Sequence, residues 1–325
     1  MVESNAGLVD VVREYLDVHE RMTVLFGRFR EGTLRFDAVR DLIADDPRSP
    51  LFRLKERCHH LFRRRGTDSQ PMRRAELFDL AVGSLFHEAM KFRENFYQQV
   101  VYAPRMQALR AEIDDDSVED AELLREFEKI QAGAEARMGE ALQETEALVT
   151  HTGDQLWLLL GATRDGLITR YLIEQRDRIE KIHSLGLERL LERMHGGVAE
   201  GYTAAARSYL ESAHFGHALG ALERAGGETG ASSPLVRYAK AMQRFLEGEY
   251  ESSLDHLSAW LDDGLEPADE PYALLAHAAV ARIDRLVDEE VLLARAGKVV
   301  ERLEAAASAQ TGEGASSALS ERRRK

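Results

Sequence analysis

Four Glu-x-x-His pairs are the residues of this sequence whose types and spacing most directly suggest chemistry. They are Glu56 with His59, Glu180 with His183, Glu192 with His195, and Glu211 with His214. Residues three apart lie on the same side of a helix, so a carboxylate and an imidazole at this spacing can bind one metal ion. The pairs therefore raise the hypothesis of a metal site between helices.

Ferritin-like helical proteins build a dinuclear site from such pairs and from further carboxylates that face the core of a bundle. A ferritin-like, metal-dependent oxidase is accordingly one hypothesis, and its candidate ligands are Glu56, His59, Glu88, Glu180 and His183. Helical geometry speaks against it, because Glu56 points about 160° away from the apolar stripe of its own segment. No metal or other cofactor is therefore expected.

Glu88 is a separate candidate for acid–base chemistry. It lies at the edge of an apolar stripe that includes Leu85 and Phe92. A buried carboxyl group can have a raised pKa and act as a general acid. An ion pair with one of the many arginines of the N-terminal region is the simpler explanation for its position.

A basic cluster between Arg48 and Arg74 holds nine basic side chains against two acidic ones. Such a cluster can bind the phosphates of nucleic acid, nucleotides or anionic lipid. It can equally neutralise the acidic segment 115–146 within the fold or across an oligomer, and we favour this second explanation. The candidate anion-binding residues are Arg63, Arg64, Arg65, Arg73 and Arg74.

The chain lacks the glycine-rich phosphate loop, the dinucleotide fingerprint and the nucleophile elbow that mark common enzyme classes. Its apolar residues recur at spacings of three and four, and strand-like alternation bounded by turn residues is missing. The sequence therefore predicts an all-α protein without an assembled catalytic motif.

Proline positions divide the predicted helices, because an interior proline costs a helix about 3 kcal/mol. A long helix is predicted from Met72 to Tyr102, ending before Pro104, within an N-terminal bundle of residues 1–116. Residues 117–197 are predicted to form a long helical hairpin with its turn at 150–154. This hairpin would pack on the bundle or extend it, and it offers a surface for a homo-oligomer.

Residues 198–308 contain an internal repeat with a period of 35 residues. Ala206, Leu210, Ala213, Phe215, Ala218, Leu219 and Leu222 recur as Ala241, Phe245, Gly248, Tyr250, Ser253, Leu254 and Leu257. Small residues where two helices cross and an aromatic residue after the turn are typical of a helix-turn-helix unit. The segment is therefore predicted to be a stack of helical hairpins.

This repeat resembles the tetratricopeptide repeat in period and in its pattern of small, aromatic and glycine residues. It departs from that pattern because Ser253 stands where the family prefers alanine, the early tryptophan is missing, and the prolines after the second helix come late. The resemblance implies a superhelical stack whose concave face binds a peptide or helix of a partner protein. The candidate partner-binding residues are Tyr209, Phe215, Arg237, Arg244 and Tyr250.

Composition and charge indicate the class of protein. The 325 residues are 44% hydrophobic and 31% charged, with one cysteine and a net charge of -14. The start of the chain lacks the pattern of a secretory signal, so we expect a cytoplasmic protein with a disordered tail at 309–325. Because the net negative charge repels nucleic acid and anionic lipid, the expected partner is another protein.

Overall fold

The computed structural model describes residues 2–62, 70–112, 118–182, 186–226, 233–266 and 269–322. Every regular element in these ranges is helical, which confirms the all-α prediction. No described helix combines the length and apolar character that crossing a membrane requires. The chain forms two compact units, Met1–Met194 and His195–Lys325.

The first unit contains helices α1 to α8. Their bounds are α1 Val2–Arg30, α2 Phe36–Leu42, α3 Pro50–Phe62, α4 Gln70–Glu112, α5 Val118–Leu160, α6 Gly166–Glu174, α7 Arg176–Ile182 and α8 Gly186–His195. Helices α1 and α3 pack against α4 and α5 in a four-helix bundle. The predicted apolar stripe of α4 is buried in the core of this bundle at Phe78, Leu85, Phe92 and Phe96, whereas its last member, Val100, is exposed.

Helices α4 and α5 form an antiparallel hairpin of two 43-residue helices. The Thr152 hydroxyl donates to the Ala81 carbonyl oxygen at one end (3.4 Å), and Arg110 donates to Glu128 near the other (3.1 Å). A long hairpin is therefore present, but its first arm is α4 and not a helix beginning after residue 116. The first unit holds both arms together with the bundle.

Two predicted helix ends on this hairpin are wrong. Helix α4 continues through Pro104, which lies on an exposed part of the helix where water can solvate the carbonyl group that proline leaves without a donor. The predicted turn at 150–154 is helical, and Gly153 within it approaches Tyr15 of α1 so closely that a Cβ would overlap the Tyr15 hydroxyl. Helix α5 ends at Leu160, and the Asp165 side chain caps α6 by accepting from two backbone N–H groups.

The second unit contains helices α9 to α14 and a short 3₁₀ turn at Ile283–Arg285. The bounds are α9 Val198–Glu211, α10 Phe215–Gly226, α11 Pro234–Glu247, α12 Tyr250–Asp262, α13 Glu270–Val280 and α14 Glu290–Arg322. Successive helices pair as hairpins, and the pairs pack on one another through α10 with α11 and through α12 with α14. This arrangement is a stack of helical hairpins.

Backbone conformation repeats along this stack. Ala213, in the turn between α9 and α10, has a φ of 58°, and Gly248, in the turn between α11 and α12, has a φ of 83°.

Helix α14 continues to Arg322, where the composition predicts a disordered tail. Residues 290–322 contain alanine and no proline, which permits a helical backbone.

Candidate functional site

The candidate metal ligands do not come together in the described part of the chain. Glu56 lies 4.0 Å from His60, whereas His59 faces Asp79 at 3.8 Å. Glu180 accepts from Arg176 at 2.8 Å. His183 lies outside the described residues. Among the described residues, no group of three or more His, Cys, Asp or Glu side chains could hold a metal ion.

Glu88 forms an ion pair, as the simpler explanation of its position requires, but with a different cation. Lys91, one turn along α4, donates to its carboxylate at 2.6 Å. The pair is partly exposed. Glu88 therefore has a partner within its own helix.

The single cysteine lies beside Asp79 in the bundle. Burial raises the pKa of the Cys58 thiol well above its ordinary value, and the nearby Asp79 carboxylate raises it further. Burial also raises the pKa of Asp79, although His59 opposes this change. A thiol in this environment stays protonated and is a poor nucleophile and metal ligand.

The basic cluster is partly neutralised by α1. Arg57 lies 3.3 Å from Asp10 and 3.4 Å from Glu14, and Arg53 lies 3.5 Å from Glu14. These carboxylates belong to the bundle and not to the acidic segment 115–146, so the predicted source of neutralising charge is wrong for these arginines.

The candidate anion-binding residues have different surroundings. Arg74 donates to the Leu158 carbonyl oxygen at 3.0 Å, and Arg73 is exposed. Arg63, Arg64 and Arg65 lie outside the described residues. Anion binding by this cluster therefore stays a prediction.

The predicted partner-binding residues are mostly internal or paired. Tyr209 and Phe215 are buried, which corrects their assignment to an accessible surface. They face inward because their helix pair has its small residues and aromatic rings on the same packed side. Arg237 donates to Asp263 at 2.8 Å, and Arg244 donates to Glu249 at 2.8 Å. Tyr250 is half-buried against the ring of Phe245.

An aromatic core centred on Tyr238 holds the second unit together. The Tyr238 ring lies 4.9 Å from Trp260, 5.2 Å from Tyr272 and 6.4 Å from Phe215, measured between ring centroids. These residues join α10, α11, α12 and α13. Burial raises the pKa of the Tyr238 hydroxyl, so the phenol remains neutral. This cluster is a packing core.

Helix α13 carries the exposed apolar surface of the second unit. Its sequence is apolar almost all round, yet Leu274 is 58% exposed and Leu275 is 46% exposed. At 100° per residue, Leu274 lies about 160° round the helix from Tyr272, the residue that contacts α11. A helix that is apolar on all sides is normally covered on all sides. The outer side of α13 is therefore a candidate docking face.

The far end of the α4–α5 hairpin is the corresponding feature of the first unit. We call residues 97–112 of α4 and 119–137 of α5 the arm. Helix α1 ends at Arg30, which pairs with Glu146, and α2 reaches the arm only at its base, where the ring of Phe36 lies 4.9 Å from that of Tyr97. None of the arm residues whose burial is described is buried, whereas Phe96 and Met138, immediately below, are.

A groove of about 370 Å³ runs between the two helices of the arm. Its apolar lining consists of Ala103, Met106, Ile130 and Ala134, and amide side chains border it. A smaller groove of about 130 Å³ next to it is lined in part by Leu124 and Phe127. The small side chains of Ala103 and Ala134 leave space that an apolar side chain from outside can fill.

The sequence did not locate either surface, although it predicted a surface for a homo-oligomer on the hairpin of residues 117–197. The all-round apolar sequence of α13, E-P-Y-A-L-L-A-H-A-A-V, was the available signal for the first. The second depends on where α1 ends relative to α4 and α5, which the pattern of a single helix does not reveal.

No family model, curated protein or solved structure matches this chain.

Proposed function

We propose that this chain is a non-catalytic protein-interaction scaffold whose C-terminal hairpin stack, which resembles tetratricopeptide repeats, docks an amphipathic helix of a partner protein. The observation that carries the proposal is the apolar outer side of α13, where Leu274 and Leu275 are exposed. Hairpin stacks use such helix surfaces to bind extended or helical segments.

The packing of the stack supports a helix as the bound segment. Helix α11 packs between α10 and α13, so its sides toward both of these helices are covered. The outer side of α13 is the next position in this series. An incoming helix with apolar residues at spacings of three and four would bury Leu274, Leu275 and Ala278 in the same way.

Charge defines the partner further. Arg282 and Arg285 are exposed just beyond the C-terminal end of α13, and the exposed acidic residues Asp288, Glu289 and Glu290 follow them. A docked helix would therefore carry acidic side chains at the end that meets these arginines, where opposite charges favour a single orientation. The proposal includes a cytoplasmic location, which the lone, buried Cys58 supports.

Affinity capture with the full chain tests this proposal. Wild type, the double variant Leu274→Asp/Leu275→Asp, and the control Leu246→Asp are used to capture proteins from a lysate of the source cells. Leu246 is an exposed leucine on α11, so the control adds a carboxylate outside the docking face. We expect a partner that wild type and control retain and that the double variant loses at least tenfold.

A second step identifies the bound segment. Synthetic helical peptides from the captured partner, with and without their acidic end, compete for binding to the wild-type chain. The peptide with the acidic end should compete more strongly, and Arg282→Ala/Arg285→Ala should remove that difference. Identical capture by all three proteins would overturn the proposal.

A further inference from the structure

A cluster of exposed leucines lies on the α4–α5 hairpin, at the end opposite the arm. Leu80 is 68% exposed, Leu77 is 51% exposed, and Leu158 on the neighbouring α5 is 44% exposed. The groove of the arm is about 35 Å away, since Leu80 and Ala103 are separated by 23 residues at 1.5 Å per residue. The hairpin thus has apolar projections at one end and an apolar groove at the other.

The leucines and part of the groove lie on the same face of the hairpin. Leu77 and the groove residue Asn95 are 18 residues apart, which is five turns of helix, so they lie on one line along α4. Both are nine residues, or two and a half turns, from Phe86, which packs on Phe52 of α3. This face of α4 is therefore directed away from α3.

The second helix of the hairpin gives the same result. Gly153 on α5 packs against Tyr15 of α1. Leu158 lies about 140° round the helix from Gly153, and the groove residues Ile130 and Arg137 lie about 140° and 160° round from it, whereas Glu135, five turns from Gly153, borders the groove beyond the end of α1. An incoming pair of helices can therefore reach the leucines and the groove without meeting α1 or α3.

We infer that this face binds a second copy of the chain, with the two hairpins antiparallel, so that the leucine cluster of each copy enters the groove of the other. A two-fold axis across the middle of the hairpin generates both contacts at once, as the isologous interface of a symmetric dimer requires. The product is a four-helix arrangement in which each arm has the neighbouring helices that it lacks in the single chain.

Charge fits the same register. When Leu158 lies opposite Ile130 of the second copy, the two-fold axis crosses α4 at about residue 91, as the contacts of Thr152 with Ala81 and of Arg110 with Glu128 indicate. Lys91 then comes within about one helical turn of Glu88 of the second copy, and the reciprocal pair forms by symmetry. Lys91 and Glu88 already attract each other within one chain at 2.6 Å, so the dimer extends this pair into a cluster of four alternating charges.

The antiparallel arrangement also separates like charges. The tip of the arm on α5, residues 119–128, holds five carboxylates and one arginine, whereas residues 129–137 hold two basic residues and one carboxylate. In an antiparallel dimer the acidic tips of the two copies point in opposite directions, which avoids repulsion between them.

The available area is sufficient for a stable dimer. From Leu77 to Met106 the face is about 45 Å long at 1.5 Å per residue, and two helices about 10 Å apart make it about 20 Å wide. It therefore offers on the order of 900 Å² per copy, which matches a standard protein–protein interface. The polar middle is compatible with this assignment, because such interfaces are about as apolar as the rest of a protein surface.

Mass measurement of the full chain tests the inference. Light scattering after size exclusion should give twice the 36.5 kDa of one chain at micromolar concentration. Leu80→Asp and Ile130→Asp should each raise the dimer dissociation constant at least tenfold. Val24→Asp, at an exposed position on α1, is the matched control and should leave the dimer intact. Helical circular dichroism of all variants reports whether they remain folded.

Cysteine cross-linking tests the arrangement. Leu158 and Ile130 are 28 residues apart on one helix, about 42 Å, so a disulfide between cysteines at these positions can form only between chains. Leu158→Cys/Ile130→Cys should give a covalent dimer under mild oxidation, and Leu158→Cys alone should not. A monomeric wild type, a dimer unchanged by both aspartates, or a disulfide between two Leu158→Cys chains would overturn the inference.

Discussion

Ala213 and Gly248 occupy the same position in successive hairpins of the second unit and share a left-handed backbone conformation. They are 35 residues apart, and their φ angles are 58° and 83°. Left-handed backbone is strained for residues with a Cβ and easy for glycine. Both copies of the repeat therefore have the same turn conformation, although the first has alanine where glycine is better suited.

Ala213→Gly should stabilise the protein by about 0.5–1 kcal/mol, because it removes the strain of a Cβ in the left-handed region. Gly248→Ala should destabilise it by about 1–2 kcal/mol for the converse reason. No atom lies within 4 Å of a Cβ built at Gly248, so the loss would come from backbone strain and not from a clash. Urea unfolding followed by circular dichroism measures both changes, and equal signs would contradict the explanation.

Gly153→Ala should destabilise the first unit by about 1–3 kcal/mol, because its Cβ would overlap the Tyr15 hydroxyl and push α1 away from α5. Gly139→Ala is the matched control on the same helix, since nothing lies within 4 Å of its Cβ. The control should be neutral or stabilising by up to about 1 kcal/mol, as expected for glycine to alanine within a helix. Thermal unfolding of the two variants compares them, and equal melting temperatures would refute this close approach.

The burial of the apolar stripe of α4 was predictable from sequence because it follows directly from apolar spacing. The stripe residues Phe78, Leu85, Phe92 and Phe96 are buried. The ends of the long helices were not. Pro104 and Gly153 each favour a helix break by residue type, yet both lie inside a helix. Pro104 is tolerated because its part of α4 is exposed to water, and glycine is needed at 153 because α5 lies close to Tyr15 there. Both outcomes depend on neighbouring helices, which a reading of a single segment does not include.

The candidate docking surfaces likewise depend on neighbouring helices, which the sequence of one segment does not show. The repeat predicted an aromatic residue just after each hairpin turn, where Phe215 and Tyr250 begin their helices, but spacing does not reveal which side of a helix faces the next one. Phe215 therefore packs in the interior, and Leu274 lies on the outer side of α13. Whether an apolar residue belongs to a core or to a docking face is decided by the number of helices around it.

The stability of the first unit should fall below about pH 6.5 through His19. Burial lowers the pKa of this imidazole from its ordinary value, although the neighbouring Glu20 carboxylate opposes the change. Tyr15, Arg178 and Lys181 are the other ionisable groups nearby. Because the unfolded chain then binds a proton at higher pH than the native one, the native state loses stability as the pH falls below the unfolded pKa.

Unfolding free energies of wild type and His19→Gln at pH 7.5 and pH 5.5 measure this effect. The loss of stability between the two pH values should be smaller in the variant. Glu20 does not produce the same change, because the hydrogen bond from Arg178 lowers its pKa and its contribution is lost only below about pH 4.5. His60→Gln, at an exposed histidine, should retain the full wild-type loss. If His19→Gln lost as much stability between pH 7.5 and pH 5.5 as wild type, His19 would be excluded as the cause.

Arg207→Ala should destabilise the second unit by about 2–3 kcal/mol, because it leaves the buried Asp269 carboxylate without its cation. Arg207 donates to Asp269 at 3.2 Å and thereby joins α9 to the start of α13. Asp269→Asn should cost less, about 1 kcal/mol, since the amide oxygen can still accept from Arg207 and no buried charge remains. Asp262→Asn, which weakens the exposed pair with Arg302, should change stability by less than about 0.5 kcal/mol. Chemical unfolding measures the free energy of unfolding of the three variants. If Asp269→Asn destabilised the protein as much as Arg207→Ala, the loss would come from packing and not from the unpaired charge.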